Sequence, residues 1–198
     1  MNAQTTALLL MLTGLLISSG CHAASEESWR VNNDLSKLSF ISIKAGDIGE
    51  VHSFTRLNGT IDSDGQVDVS IDLTSVETLI PIRNERMQEF LFETGAFPAA
   101  RIAATLEAAA IAGLNPGDVR VQAVEATLTL KEQTIPLTMQ LIAAKVGENR
   151  LVVSSLQPIL LNAGAVGLSE GVEKLRDIAG LPDISQAVPV TVVLTFER

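Results

Sequence analysis

The residues of this chain that could perform chemistry are few. The sequence contains two histidines, His22 and His52, and one cysteine, Cys21. His52 is followed by Ser53, and a histidine that takes the proton of a serine hydroxyl would create a nucleophile. Because adjacent residues of a strand point to opposite faces, we expect no such dyad and predict that His52 is an exposed or edge histidine.

Other motifs that carry chemistry are missing from the sequence. It has no H-E-x-x-H, G-x-S-x-G or P-loop pattern, and no cluster of cysteine and histidine that would bind zinc. The segment Asp62-Ser63-Asp64-Gly65 begins like a calcium loop, but it lacks the third early ligand and the closing glutamate of an EF-hand. We therefore predict a hairpin turn there, no metal site, no catalytic residue and no enzymatic activity.

The densest charged segment is Arg83-Asn84-Glu85-Arg86, at the start of a predicted helix. Guanidinium groups together with helix amides can capture an anion such as a phosphate. The alternative is a solvated first turn in which the arginines pair with Glu77 and Glu89. Under the first interpretation, Arg83 and Arg86 are possible contacts for the head group of a ligand.

Residues 1–23 have the layout of a secretory signal peptide. A short apolar run over residues 7–17 is followed by small residues that suit cleavage after residue 23. Residues 18–21 (SSGC) also resemble a lipoprotein box, in which the signal would end at Gly20 and Cys21 would be lipidated. We therefore expect a periplasmic or secreted protein, with possible association with the inner or outer membrane.

Length and charge exclude some classes of function. Residues 24–198 are enough for one domain with its own core, and they contain no evident linker or repeat. The formal net charge is −9 at pH 7. Nucleic-acid binding requires clustered lysine and arginine, and no basic patch is visible in the sequence. We predict a single domain that has no nucleic-acid partner.

Most of the chain after residue 35 alternates apolar and polar residues with a period of two, which is typical of strands with one buried face. A change to helical spacing predicts two short helices, one between Pro81 and Phe92 and one over residues 169–179 with Ser169 as its N-cap. The alternation predicts about eight strands, at 35–44, 50–61, 66–75, 101–109, 119–131 (with a bulge near Ala123), 134–145, 150–156 and 188–196.

An antiparallel sheet of this size must protect its edges, and closure into a barrel does so. A barrel of about eight strands holds either its own side chains or one small ligand. The inward stripes are aliphatic and few aromatic residues are present to fill the interior. We therefore predict that a long apolar ligand binds inside, in contact with Phe40, Val69, Ile71, Leu73, Ile102, Leu106, Leu128, Leu130, Leu137, Met139, Leu141, Val192 and Leu194.

Several segments of the chain resemble the YceI-like family. The similarity lies in residues 38–40, 44–46 and 49–54, in IDLTSVET at 71–78, in RNERM at 83–87, in the Leu91-Phe92 and Phe97-Pro98 pairs, and in residues 128–131 and 136–138. The resemblance implies an extended, lipocalin-like antiparallel barrel that is exported and, in some members, binds polyisoprenoid lipids. The chain departs from many relatives at Arg86, where histidine is common, and at residues 164–167, where small residues replace an aromatic-glycine pair.

Three functions follow from these observations. The first is a periplasmic or secreted protein that holds a polyisoprenoid or quinone-like lipid in the barrel and uses no other cofactor. The second is a periplasmic accessory or scaffold protein of a membrane redox or envelope complex, with a solid barrel. The third is an enzyme that acts on isoprenoid phosphates through His52 or Arg83, and it has the least support because no nucleophile motif or metal cluster is present.

Overall fold

The structure is a computed structural model, and it describes residues 28–198. The expected signal peptide and Cys21 lie outside the described residues. Within them the strands are β1 (Trp29–Val31), β2 (Lys37–Lys44), β3 (Ile48–Phe54), β4 (Leu57–Ile61), β5 (Gln66–Asp72), β6 (Val76–Glu77), β7 (Ala99–Thr105), β8 (Val119–Leu130), β9 (Gln133–Lys145), β10 (Arg150–Ser155), β11 (Ile159–Asn162) and β12 (Ala187–Glu197). The helices are α1 (Pro81–Arg86), which continues as the π-helical segment Met87–Leu91, α2 (Ala108–Ala112) and α3 (Ser169–Ala179).

The strands form one closed antiparallel barrel. Four of its eight strands are broken into two segments, namely β1 with β2, β3 with β4, β5 with β6, and β10 with β11, while β7, β8, β9 and β12 are continuous within the described residues. Closure occurs where β12 pairs with β10 along one edge and with β1 and β2 along the other, and β1 in turn pairs with β4. The predicted fold, a lipocalin-like barrel of about eight strands with two short helices, is confirmed. The two predicted helices are α1, with its π-helical continuation, and α3, and the five-residue α2 is an additional short helix.

One buried serine stabilises the break between β3 and β4. Ser75 Oγ accepts hydrogen bonds from the backbone amides of Thr55, at 3.2 Å, and Arg56, at 3.0 Å. The Thr55 amide also donates to the Ser75 carbonyl oxygen at 3.1 Å, so Ser75 ties the kink to the segment that follows β5. Below the kink the ring of strands closes through β1 and β4, and above it through β2 and β3. We call these the lower and upper ends of the barrel.

The structure confirms one predicted turn and corrects the predicted end of a strand and the predicted start of a helix. Asp62 Oδ1 accepts the backbone amides of Asp64 and Gln66, and Gly65 takes a positive φ of 81°, so this segment is a hairpin turn as predicted. The predicted strand 101–109 is too long, because β7 ends at Thr105 and α2 begins at Ala108. Ser169 does not cap α3. It is the first residue of the helix, and its hydroxyl donates to Gln186.

The predicted bulge in β8 is wrong. β8 pairs with β9 without a break in register from Val119 opposite Ala144 to Leu130 opposite Gln133. The apolar pattern shifts because Val119 and Val121 point outward, with exposures of 62% and 52%, while Arg120 and Gln122 face the interior. A regular strand that places polar side chains inside the barrel therefore produced the apparent change of phase.

Candidate functional site

The barrel encloses a cavity of about 380 Å³. On β8 alone, wall residues run from Arg120 to Leu130. That stretch spans about 33 Å along the strand at ~3.3 Å per residue, or about 25 Å along the axis of a barrel whose strands tilt by ~40°. The cavity is therefore elongated and follows most of the length of the barrel.

The wall is built by the inward stripes of the strands. Every residue predicted to contact a ligand lies on this wall, and most of the other wall residues are apolar. Their contact with a ligand stays a prediction. The residues placed on the wall as predicted are Phe40, Val69, Ile71, Leu73, Ile102, Leu106, Leu128, Leu130, Leu137, Met139, Leu141, Val192 and Leu194.

Charged side chains lie at the upper end of the cavity. Glu50 Oε2 accepts the Lys44 ammonium at 2.8 Å and also the Nη1 group of Arg83. The hydrogen bond from Lys44, followed by the charge of Arg83, holds the pKa of Glu50 below its usual range. The alternative pairing of Arg83 with Glu77 or Glu89 is wrong. Arg83 donates to Glu50 on β3, and Glu77 accepts from the Asn84 side chain and the Leu79 amide.

His52 is buried on the cavity wall, not exposed. Only 3% of its surface is accessible to solvent, and its ring packs edge to face on the ring of Phe40, with 5.3 Å between the two ring centroids. The prediction of an exposed or edge histidine is wrong because β3 turns Glu50, His52 and Phe54 inward. Burial, with a smaller contribution from the charge of Arg83, lowers the pKa of His52.

The serine that contacts His52 is Ser42 on β2, and not its neighbour Ser53. The Ser42 hydroxyl lies 2.9 Å from His52 Nε2. A hydrolytic triad also needs an acceptor that orients the histidine through its other ring nitrogen. Within residues 28–198, His52 Nδ1 has no hydrogen-bond partner, so this part of the chain supplies no third member.

Two buried polar atoms of the described residues have no partner, and both belong to residues of the cavity wall. They are His52 Nδ1 and Arg83 Nε. A buried polar atom without a hydrogen bond costs about 1–3 kcal/mol. In native proteins nearly all buried polar atoms form a hydrogen bond. Two such atoms without a partner beside a cavity therefore indicate a place where a ligand atom or water would bind.

The other polar wall residues lie at both ends of the cavity. Arg86, predicted as a head-group contact, is on the wall near Arg83. Arg120 and Gln122 lie on the wall toward the lower end, and the sequence analysis missed them. The signal that could have found them is the loss of apolar phase in the first half of β8. Among the described residues no group of three or more metal-binding side chains is close enough to hold a metal ion.

An apolar segment projects from the surface next to the upper polar residues. Leu79, Ile80 and Ile82 are exposed, and Leu79 is 88% exposed with a positive φ of 63°. Glu77 accepts the Leu79 amide, and the buried Thr78 donates to Asn84 at 2.6 Å, so side chains on both sides fix this conformation. We call Leu79–Ile82 the apolar loop.

The outer face of the barrel extends this apolar surface. Val51 lies on β3 two residues before Ser53, which pairs with Glu77 just ahead of the apolar loop. Val51 is exposed, and it pairs with Ile41 on β2.

In the part of the chain that the structure describes, no helix has the length and apolar character needed to cross a membrane.

Comparison with known proteins gives one family. The model of the YceI-like domain matches residues 29–196. A solved polyisoprenoid binding domain from Saccharophagus degradans is 36% identical, with a TM-score of 0.83, covering 85% of this chain and 97% of that one. No curated protein matches.

Two more distant structures share the fold. BcnA of Burkholderia cenocepacia is 16% identical with a TM-score of 0.65, covering 83% of this chain and 98% of that one. A Campylobacter jejuni YceI protein is 12% identical with a TM-score of 0.55, covering 74% of this chain and 84% of that one.

Proposed function

Because this chain belongs to the YceI-like domain family, we propose that it is a binding protein for a long apolar lipid of the polyisoprenoid class. The lipid tail occupies the cavity inside the barrel. The single observation that carries the proposal is the elongated apolar cavity, which would stay unfavourably empty or wet without a ligand. The similar domain from Saccharophagus degradans, described as polyisoprenoid binding, supports this ligand class.

The cavity also suits the shape of such a ligand. Its middle is aliphatic, and its polar residues lie toward the ends. Apolar burial contributes about 25 cal/mol per Å², so a tail along the bore supplies most of the affinity. We further propose that the ligand is a quinone-like or related prenyl lipid and that the protein works in the periplasm or outside the cell, as the N-terminal signal pattern favours.

Extraction of the bound lipid tests this function. Full-length protein is produced in a bacterial host, purified from the cell envelope without detergent, and extracted with organic solvent for mass spectrometry. We expect a prenyl lipid in near-stoichiometric amount. If repeated extractions of the purified protein yield no lipid, or only trace amounts of ordinary phospholipid, the proposal is contradicted.

We also propose that the apolar loop docks the barrel on a phospholipid surface, because a water-insoluble ligand must be exchanged with a membrane. The loop lies at the upper end, next to the polar residues of the cavity. The charged wall residues there are three cations, Lys44, Arg83 and Arg86, and one carboxylate, Glu50. This excess of positive charge complements anionic head groups, and exposed Leu and Ile side chains would enter the interface.

Replacing Leu79 with glycine is expected to weaken binding to anionic phospholipid vesicles about tenfold. The buried part of a leucine side chain contributes roughly 1.5–3 kcal/mol, and 1.4 kcal/mol is tenfold in affinity. The fold should not lose stability, because glycine removes a left-handed strain of about 1–2 kcal/mol at the cost of ~0.5–1 kcal/mol in chain entropy. Vesicle co-sedimentation and thermal unfolding measure the two effects.

Val146→Ser is the matched control for this prediction. Val146 is also exposed and apolar, but it follows β9 at the lower end of the barrel. Vesicle binding that falls equally in both variants, or in neither, would show that the apolar loop is not the docking surface.

A further inference from the structure

Building on the proposed function, we infer that the lipid tail enters the barrel sideways between β9 and β11, where the upper half of the wall has no backbone ladder. β9 pairs with β10 only over Leu141–Lys145, and β11 pairs with β12 along its whole length. Among the described residues, β11 has no pairing with β9. We call the gap between residues 134–138 and 158–162 the seam.

The alternation of an antiparallel sheet shows which backbone groups face the seam. The Leu156 amide donates to the Gln140 carbonyl oxygen at 2.8 Å, just below the seam. Consecutive residues of a strand direct their N–H and C=O groups to opposite neighbours, so the even-numbered residues of the seam direct these groups into it. The odd-numbered Ala163 agrees, because its amide donates the other way, to the Gln186 carbonyl oxygen.

Two prolines prevent the ladder from continuing upward. The register places Pro158 opposite Thr138, and Pro136 opposite Leu160. Proline has no N–H group, so one of the two hydrogen bonds of each facing pair cannot form. A third proline, Pro189 of β12, pairs with Leu160 on its other side, which agrees with Leu160 directing its backbone groups into the seam. Proline on a strand edge is a common means of keeping that edge unpaired.

The seam opens directly on the cavity. Leu137 and Met139 of β9 lie on the cavity wall, and so do Ile159 and Leu161 of β11. On the outer side of the seam, Leu160 is 72% exposed. Residues 134–138 and 158–162 include no charged side chain. A hydrocarbon tail would therefore cross between two apolar edges without removing water from a charge.

The seam is also where the wall would part at the lowest cost. Separating β8 from β9 would break a ladder that runs from Val119 to Leu130, and each backbone hydrogen bond adds to that cost. Within the described residues, β8 likewise has no pairing with β7 below Ala126. There, however, the connecting segment supplies Ile111 and Leu114 to the cavity wall. The seam has no such covering segment between its two edges.

A cross-link over the seam tests the inference. Thr138 and Leu160 are exposed and lie diagonally across the seam, so Thr138→Cys with Leu160→Cys allows a short bismaleimide to join them in a Cys21→Ser background. Ala144→Cys with Val152→Cys is the control, because these residues pair across the intact ladder of β9 and β10. Mass spectrometry measures the extent of linking, and stopped-flow fluorescence measures transfer of a fluorescent prenyl alcohol to and from phospholipid vesicles.

We expect the link over the seam to slow both uptake and release at least about tenfold and to leave Kd within about twofold, because an entry route changes both rates alike. The control link should change neither rate. Equal rates in the linked and unlinked seam variant would show that the tail enters elsewhere, and the inference would be wrong.

Hydrogen exchange followed by NMR gives a second test that needs no substitution. The amides of Thr138 and Leu160 should exchange at least about a hundredfold faster than those of Ile142 and Ser154, which pair in the ladder of β9 and β10. Equal protection would show that a ladder closes the seam, which overturns the inference. Fast exchange at the seam in a protein that takes up no prenyl alcohol would instead mean that the proposed lipid-binding function fails.

Discussion

Replacing Ala104 with tryptophan is expected to reduce the amount of long prenyl lipid that the barrel retains by at least about tenfold. Ala104 lies on the cavity wall in β7, and an indole at this point would occupy the lower half of the bore. If the indole keeps about 60 Å² of lipid surface from contacting the wall, the loss is about 1.5 kcal/mol at 25 cal/mol per Å², which is slightly more than tenfold in affinity. Mass spectrometry of extracts from equal amounts of purified protein measures the loss.

The neighbouring position provides a matched control. Ala103 is on the same strand, pairs with Thr127 and is exposed on the outside, whereas Ala104 pairs with Ala126 and faces inward. Ala103→Trp adds the same side chain and should leave the lipid content unchanged. The indole of Ala104→Trp enters existing space, so we expect no loss of thermal stability. Equal lipid content in the two variants would show that the lipid does not lie in the bore.

Replacing Gly171 with valine is expected to lower the free energy of unfolding by about 3 kcal/mol. Gly171 lies in α3, where the helix packs against the π-helical segment that follows α1. A Cβ atom at this position would lie 2.6 Å from the Phe90 carbonyl oxygen and 2.8 Å from Leu91 Cα. Both are backbone atoms, which cannot move aside as the end of a side chain can, and overpacking typically costs about 1–3 kcal/mol.

Gly95→Val is the control for the helix contact. A Cβ atom at Gly95 would have no neighbour within 4 Å, and its φ is not in the positive range. Its substitution should change stability by no more than about 0.5 kcal/mol. Chemical denaturation of both variants measures the difference. If Gly171→Val were as stable as Gly95→Val, the close contact between the two helical segments would not exist in solution.

The fold could be predicted because its main signal is local. Each inward stripe, such as Val69, Ile71 and Leu73, shows the period of two that a half-buried strand requires. The closed barrel then follows from the need to protect sheet edges. The breaks in the strands could not be predicted, because they depend on long-range contacts such as that of Ser75 with the amides of Thr55 and Arg56.

The polar part of the site was harder to predict for the same reason. Arg83 was identified as a possible head-group contact, but its partner Glu50 is 33 residues away in the sequence, and the pattern favoured closer acids. The prediction for His52 was wrong because it considered only the neighbouring serine and not the face of the strand on which His52 lies. Its alternation with Glu50 and Phe54 does place it on an inward face, so the phase of β3 was the available signal.

The positions of the buried polar atoms and of the apolar loop indicate how the lipid would be oriented in the barrel. Lipid would enter through the upper half of the barrel, the end at which the apolar loop meets the membrane, with its head group beside the polar wall residues of that end and its tail extended toward Arg120 and Gln122.

Experimental electron density for the untreated protein tests the central claim most directly. We predict continuous, elongated density inside the barrel, which begins near Arg83 and runs between the walls formed by Leu128 and Leu194. A barrel whose side chains have collapsed into the bore, or one that contains only separate water peaks, would contradict the account.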